Sequence, residues 1–353
     1  MNGIELLNKF QQQLKEVLGK VSGLELVQIE DEPRFDQEKE IDLLIRLEAP
    51  AGETIELLVE AKATAYPRTV RVAIANIKAI LSNNEQQYGL LTAPYLSADS
   101  RKLCRDEGIN YLDLAGNCWL SFGTVYIEID GKPNPYPDRR PLRSVFSPKS
   151  TRLLRVLLEK PEKQWYVKDL AKEANLSLGQ TFNLKKQLLQ EDYLKTTDDR
   201  KLVLSRPGDL LNAWAKEYKY TDNTVKKYYA MQEIPKIEED IKNYCTRWQR
   251  KYAFTMHSGA ARFAQFVRYK QVSVFVESDI DELQDALNLK PVDSGANVLL
   301  LTPYDDGVFY FTQKKDDTTI VSDIQLYLDL IGYAQRGAEA AEYILMNRLS
   351  KRW

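Results

Sequence analysis

Histidine is almost missing from this 353-residue chain: His257 is the only one. Chemistry that needs two imidazoles is therefore excluded, including two-histidine zinc sites, His-x-Glu-x-x-His helices and di-iron helical pairs. Cysteine is nearly as scarce. Cys104, Cys118 and Cys245 form no Cys-x-x-Cys pair, which argues against a structural zinc or a disulfide framework. Long apolar runs are missing too, and the first helix is polar with no signal-like segment, so we expect a reduced, cytoplasmic protein without a membrane span. Bulk charge has no strong sign: 49 Lys/Arg against 51 Asp/Glu give a net of −2. Nothing in the overall balance announces a nucleic-acid partner. What remains is an ordinary globular composition, 44% hydrophobic and 28% charged, in a chain long enough for two or three domains.

The charge is partitioned. Between Asp138 and Arg206 there are sixteen Lys/Arg and nine Asp/Glu, a local net of +7 inside a chain whose total is −2. This basic stretch is bounded by Asp130-Gly-Lys-Pro-Asn-Pro-Tyr-Pro-Asp138, a linker or exposed strap, and by Arg206-Pro-Gly208. We read a multi-domain α/β protein: an N-terminal α/β domain over 1–137, a middle module over 138–208 and a C-terminal α/β domain over 209–353.

In the first domain, apolar residues at 4, 7, 10, 14 and 17/18 predict an amphipathic helix. Strands are expected at Leu24–Ile29, Ile41–Leu47 and Ile55–Ala63, with Pro50-Ala-Gly52 turning between the last two. A helix at Thr69–Leu81, a strand at Tyr88–Thr92, a helix at Ala98–Glu107 and strands around Tyr111–Leu114 and Cys118–Ile129 follow. Asp42 opens one apolar strand. Glu60 and Lys62 lie two residues apart on the next, hence on one face. If the two strands form a hairpin, Asp42 and Glu60 are candidate ligands for Mg²⁺, with Lys62 beside them as a candidate catalytic residue. On its own, a Glu-x-Lys on a strand is more often a solvated face or a cross-strand ion pair. The order helix, Asp strand, Glu-x-Lys strand, helix resembles the core of PD-(D/E)XK nucleases. The resemblance implies a nuclease-like fold, a Mg²⁺ ion if the site is active, and a further acid that is either Glu5 or Glu16.

The middle stretch predicts a helix at Lys149–Leu158 with Lys149, Arg152 and Arg155 on a basic face. A short strand at Trp165-Tyr-Val167, a helix at Lys168–Ala174, a turn at Asn175-Leu-Ser177 and a helix at Leu178–Gln190 come next. Strands at Tyr193–Thr196 and Leu202–Leu204 close the unit. This is the order of a winged helix-turn-helix, with Ser177 able to cap its third helix. In that geometry Gln180, Thr181 and Asn183 reach base edges in the major groove, while Lys185, Lys186, Arg200 and Lys201 meet phosphates of double-stranded DNA. The alternative is a winged helix used only as a protein-docking or structural unit, with a lysine-rich solvated face.

The last third predicts helices at Asp209–Tyr220 and Thr224–Tyr252, the second interrupted near Pro235, then a strand at Tyr252–Met256 and a helix at Arg262–Phe266. Strands at Val272–Val276, Val298–Leu301 and Val308–Phe311 alternate with a helix at Ile280–Leu287, and helices at Ser322–Ala334 and Ala338–Leu349 end the chain. Ser258-Gly259 suits either an anion-binding turn or a structural one. His257 and Ser258 have no third partner, so no hydrolase triad is read. Several motifs share an order: Tyr111-Leu-Asp-Leu-Ala-Gly-Asn117, Ser258-Gly-Ala-Ala261, Gly295-Ala-Asn-Val298 with Leu301-Thr-Pro303, Asp323-Ile-Gln-Leu-Tyr-Leu-Asp329 and Arg336-Gly-Ala-Glu-Ala-Ala341. From about Asp42 onward the chain resembles AbiEi-type antitoxins. The resemblance implies a DNA-binding transcriptional regulator of a type IV toxin–antitoxin or phage-defence pair, needing no cofactor for DNA binding. It implies a nucleotidyltransferase toxin as counterpart, opposed without a stable complex. Homodimerisation on paired half-sites is an expectation. The rival expectation is a Mg²⁺-dependent DNA endonuclease whose winged helix delivers the substrate.

Overall fold

The structure, a computed structural model, describes residues 3–35, 39–49, 52–81, 86–136, 145–264, 269–277, 280–334 and 336–353. It is a mixed α/β chain with several sheets and two compact units, one of Met1–Pro141 with Leu189–Asp192, the other of Leu142–Leu188 with Tyr193–Trp353.

In the first unit, helix α1 (Gly3–Leu18) buries Leu6, Phe10, Leu14, Val17 and Leu18, spaced three and four apart on one stripe. It is followed by β1 (Glu25–Asp31), a two-residue ribbon of β2 (Arg34–Phe35) and β3 (Lys39–Glu40), then β4 (Leu43–Glu48) and β5 (Thr54–Ala61). Helix α2 (Pro67–Ile80), β6 (Gln87–Ala93), α3 (Ala98–Asp106), β7 (Asn110–Asp113), β8 (Cys118–Phe122) and β9 (Val125–Ile129) complete it. The sheet runs β1-β4-β5-β6-β7-β8-β9, parallel only at β5/β6 and β6/β7. Its centre is buried on both faces, which is why β4 and β5 read as unbroken apolar runs. Leu43, Ile45, Leu47, Leu57 and Val59 pack with Phe10 and Leu14. Leu44 and Leu58 pack on the other side with Val70, Ile74 and Ile77 of α2. Each such side chain contributes about 1.5–3 kcal/mol when fully buried. The stretch Cys118–Ile129 is two strands, because the chain reverses at Gly123 (φ +54°). The Pro50-Ala51 part of the predicted β4/β5 turn lies outside the described residues; Gly52, at φ +77°, donates its amide to Ala49 O at 2.8 Å.

The strap after β9 is tied down at its start. Asp130 pairs with Arg101 at 2.7 Å, and the Lys132 amide donates to Asn117 Oδ1 at 2.8 Å. Its last two residues, Pro137 and Asp138, lie outside the described residues.

The second unit opens with α4 (Thr151–Glu159), a single bridge between Trp165 and Leu202, α5 (Val167–Glu173) and α6 (Leu178–Gln190). The turn between α5 and α6 passes through Asn175 at φ +51°. Strands β10 (Leu194–Thr196) and β11 (Leu202–Leu204) pair antiparallel, Leu194 opposite Leu204. Then come α7 (Pro207–Glu217), β12 (Thr224–Tyr229), α8 (Ile234–Arg247), β13 (Tyr252–Phe254), α9 (Met256–Ala260) and β14 (Val272–Val276). Helix α10 (Ile280–Ala286), β15 (Lys290–Pro291), β16 (Val298–Thr302), β17 (Gln313–Lys315), β18 (Thr318–Ile320), α11 (Asp323–Ile331) and α12 (Gly337–Ile344) finish the chain. The sheet order is β15-β12-β16-β14-β13-β18-β17.

Four expectations are corrected here. Thr224–Tyr229 is a strand, since its β-branched and aromatic residues pair along β16 and the helix begins only at Ile234. Val308–Phe311 is not a strand: Asp306–Phe309 is a 3₁₀ turn capped by the Asp305 side chain. The helix expected at Arg262–Phe266 sits earlier, at Met256–Ala260; Gln265 and Phe266 lie outside the described residues. The supposed basic face of α4 is largely interior. Arg155 is 1% exposed, and Arg152 pairs with Asp305 at 2.8 Å. Asp305 pairs Arg152, whereas Arg155 bonds only through Nη2, to Gln325 and Tyr304, and lies over the Trp214 ring, its Nε and Nη1 having no hydrogen-bond partner among the described residues.

Candidate functional site

In the first unit, Asp42 lies one residue ahead of β4. The pairing of Leu43 with Val59 carries it opposite Glu60. Its Oδ2 accepts the Ala61 amide at 2.6 Å, which pins the carboxylate to the strand bearing Glu60 and Lys62. Glu60 is 5% exposed and accepts from Lys62 Nζ at 2.5 Å. The structure thus brings all three residues together, with one Glu60 oxygen already occupied by the ammonium. Two carboxylates fit a hydrated Mg²⁺, which takes one or two carboxylates and completes its shell with water and phosphate oxygens. Among the described residues no group of three acids, histidines or cysteines is placed to hold an ion. A cleft beyond β5 and β6 is lined by Ala63, Tyr66, Tyr95 and Tyr136 together with Glu5 and Lys9. Of the two candidate further acids, Glu5 faces this cleft, paired with Lys9, whereas Glu16 is exposed on α1.

The Asp113-to-Asn117 motif has a structural task. Asp113 is fully buried, accepts from the Asn117 amide and side chain at 2.9 Å and from the Leu96 amide at 3.0 Å, and so closes the β7/β8 turn. Burial raises its pKa.

Helix α6 is buried along one stripe only, by Thr181, Leu184 and Leu188. Ser177 caps it: its Oγ accepts from the Gln180 amide at 3.2 Å, while Gln180 Oε1 accepts from the Ser177 amide at 3.3 Å. This reciprocal capping satisfies two backbone donors and partly occupies the Gln180 side chain. Gln180, Asn183 and Lys186 are exposed, and Lys185 is half-buried with Nζ 5.6 Å from the centre of the Phe182 ring. Thr181 departs from expectation. It is fully buried and donates Oγ1–H to Ser177 O at 3.0 Å, so it faces the unit's interior and cannot reach a base. On the β10/β11 hairpin, Arg200 is exposed at φ +60°, and Lys201 lies 5.5 Å from the Tyr166 ring centre.

Sequence reasoning does not reveal a buried polar network in the second unit. Asp329, fully buried, accepts from Tyr218 OH at 2.6 Å, Thr255 Oγ1 at 2.5 Å and Gln325 Nε2 at 2.7 Å. Arg155 joins through Gln325 Oε1 at 2.6 Å, its guanidinium 5.0 Å from the Trp214 ring centre. Burial pushes the Asp329 carboxyl up to about 6 and the Tyr218 hydroxyl well above its ordinary value, despite the hydrogen bonds that hold the carboxylate down. The signal lies in Gln325 and Asp329, four residues apart on the buried helix α11.

Ser258-Gly259 is a structural turn. Ser258 is fully buried among Thr255 O and the backbone of Ser273, and a Cβ on Gly259 would stand 3.0 Å from Phe254 O.

No helix among the described residues is long and apolar enough to cross a membrane. Residues 201–350 match a family model described as "Transcriptional regulator, AbiEi antitoxin, Type IV TA system". Among curated proteins nothing matches. Solved structures with local similarity are an EndoMS–double-stranded DNA complex (15% identity, 29% of this chain, 43% of that chain, TM-score 0.20) and a repair endonuclease from Pyrococcus abyssi (15%, 29%, 45%, TM-score 0.19). EndoMS in apo form is a third (13%, 29%, 44%, TM-score 0.20). The chain spans less than half the length of each of the three.

Proposed function

We propose that the chain is a DNA-binding transcriptional regulator, the antitoxin-like member of a type IV toxin–antitoxin or phage-defence pair. In this reading α4–α6 with the β10/β11 hairpin form a winged helix-turn-helix, and α6 enters the major groove of double-stranded DNA. One observation carries it: α6 is packed along a single stripe and presents Asn183 and Lys186 outward. Arg200, exposed on the hairpin, adds a further cation within the stretch that holds a net of +7. Asn183 offers the amide that pairs with adenine, Gln180 has a partly engaged one, and the lysines and Arg200 supply phosphate contacts. The family match over 201–350 supports the regulator and antitoxin assignment; a nucleotidyltransferase toxin opposed without a stable complex is the counterpart this reading expects. Homodimerisation would double the half-sites read.

The test is a gel-shift titration against DNA from upstream of the gene at several salt concentrations. Lys185→Glu with Lys186→Glu is expected to weaken binding at least tenfold and to lower the salt slope by about two, one for each phosphate that no lysine then neutralises. Unchanged affinity and slope would remove the reading.

A second reading, metal-dependent DNA cleavage, is favoured by the convergence of Asp42, Glu60 and Lys62 at the ends of β4 and β5. Asp42 and Glu60 would hold Mg²⁺, which when bound would acidify water for attack on a phosphodiester. Lys62 holds Glu60 in place and supplies a positive charge beside it. Plasmid nicking in Mg²⁺ or Mn²⁺ that disappears in Asp42→Ala and in Glu60→Ala would establish this reading; intact plasmid with the wild type across both metals would dismiss it.

A further inference from the structure

Gly179 occupies the second position of a well-formed 13-residue helix, with a negative φ and nothing within 4 Å of where its Cβ would be. Neither backbone conformation nor packing inside the unit requires glycine there. In a helix, glycine is also among the least stabilising residues. Beside it the helix exposes two large apolar side chains, Leu178 (56%) and Phe182 (57%), at i, i+4 spacing. A lone exposed hydrophobic residue is unremarkable on any surface. These two flank the one bare stretch of backbone on α6, and they lie on the side that also carries Asn183 and Lys186.

We infer that Gly179 lets the first turn of α6 approach the edges of the bases closely, and that Phe182, with Leu178, packs on thymine C5-methyl groups. This rests on the DNA-binding reading and adds what that reading leaves open, a sequence preference at the apolar positions. The major groove presents one apolar group per A·T pair, the thymine methyl, and an aromatic or aliphatic side chain is the complement to it. Charge selects the partner. Lys185 lies 5.6 Å from the Phe182 ring and Lys186 is one turn further on, so the apolar patch is rimmed by cations suited to a polyanion rather than to another apolar surface.

The experiment uses the full chain and a duplex enriched by the wild-type protein from a random-sequence pool. The duplex is resynthesised with deoxyuridine replacing thymidine one position at a time, which deletes a methyl group and leaves every hydrogen-bonding group in place. Wild type is expected to lose about fourfold in affinity at one or two positions, the worth of one buried methyl-sized group. Phe182→Ala should bind the thymidine duplex more weakly and lose the distinction between the two bases. Gly179→Ala should raise the unfolding temperature while weakening binding at least fivefold, a combination that loss of fold does not produce. Uniform tolerance of deoxyuridine by wild type overturns the inference, as does discrimination that survives in Phe182→Ala or undiminished binding by Gly179→Ala. Salt-dependent binding with no methyl effect defeats the inference alone. A wild-type protein that enriches no sequence and shows no salt-dependent binding defeats the DNA-binding reading with it.

Discussion

Asp329 places a carboxyl where water cannot reach and surrounds it with donors: Tyr218 OH, Thr255 Oγ1 and Gln325 Nε2. The donors favour the ionised form, yet burial outweighs them and lifts the group to about 6 from an ordinary 3.8. The folded state therefore holds this proton more tightly than the unfolded chain does. Below about pH 4 both states carry it and the group contributes no pH dependence. Between about 4 and about 6 the unfolded chain releases it first, so stability from this group falls as pH rises. Asp329→Asn cannot ionise and should be less stable than wild type at pH 4 by about 1–3 kcal/mol, because one amide N–H now faces a donor. Its deficit should shrink between pH 4 and pH 6 by an amount on the order of 2 kcal/mol. Urea unfolding of both proteins at several pH values measures this. A constant deficit over that window would show that Asp329 titrates normally in the fold, and a growing one that its carboxyl is held below the ordinary value; either outcome overturns the raised pKa.

At the level of single elements, the residues that cap and pack α6 are distinct from the exposed ones proposed to bind. Thr181 serves the interior, so Thr181→Val should cost about 1 kcal/mol of stability by removing the bond to Ser177 O and leave DNA affinity within twofold. Thermal unfolding and gel shift together check it, and a large drop in affinity would return Thr181 to the interface. Helix α6 and its Ser177 cap are legible in the sequence because the signals are local: a turn residue, a capping serine and apolar spacing. Which stripe faces inward is only half legible, since Thr181 offers the same hydroxyl to a base or to a carbonyl four residues back. Strand β12 reads as helix for a related reason. Thr-Val-Lys-Lys-Tyr-Tyr has no turn signal before Pro235, and its partner β16 lies some seventy residues on, beyond any local window. Charge misleads most at α4. Arginine at three-residue spacing reads as a wet face, but a planar guanidinium can also be sealed against Trp214 and bound to Gln325, as Arg155 is. The pairing of Asp42 with the Glu60–Lys62 strand is readable from two apolar strands and the turn between them. The Lys62 bond that engages Glu60 is a side-chain geometry no pattern specifies.

Across the second unit as a whole, α4 is where the helices over 151–190 join the larger sheet. Its apolar stripe of Leu153, Leu154, Leu157 and Leu158 is fully buried, and its two arginines find partners more than 140 residues away along the chain: Arg152 on Asp305, and Arg155 on Gln325 and Tyr304. The C-terminal end closes the other side, where Arg352 pairs with Glu159 at 2.8 Å and the Trp353 indole donates to Leu158 O at 3.2 Å. Cutting the chain after Gly208 would leave two guanidiniums and a leucine stripe without their cover, in a fragment of a size that is marginal even with an intact core. The basic helices should therefore not behave as an independent module. A fragment of residues 145–208 is expected to show a broad, low-temperature transition, whereas 145–353 unfolds cooperatively and keeps the full chain's salt-dependent affinity for DNA. Circular dichroism melts and gel shifts on the two fragments decide the matter. If the short fragment melts as sharply and at the same temperature as the long one, then α4 contributes a surface to the C-terminal sheet without depending on it, and the buried arginines are incidental to how the helices proposed to read DNA are held.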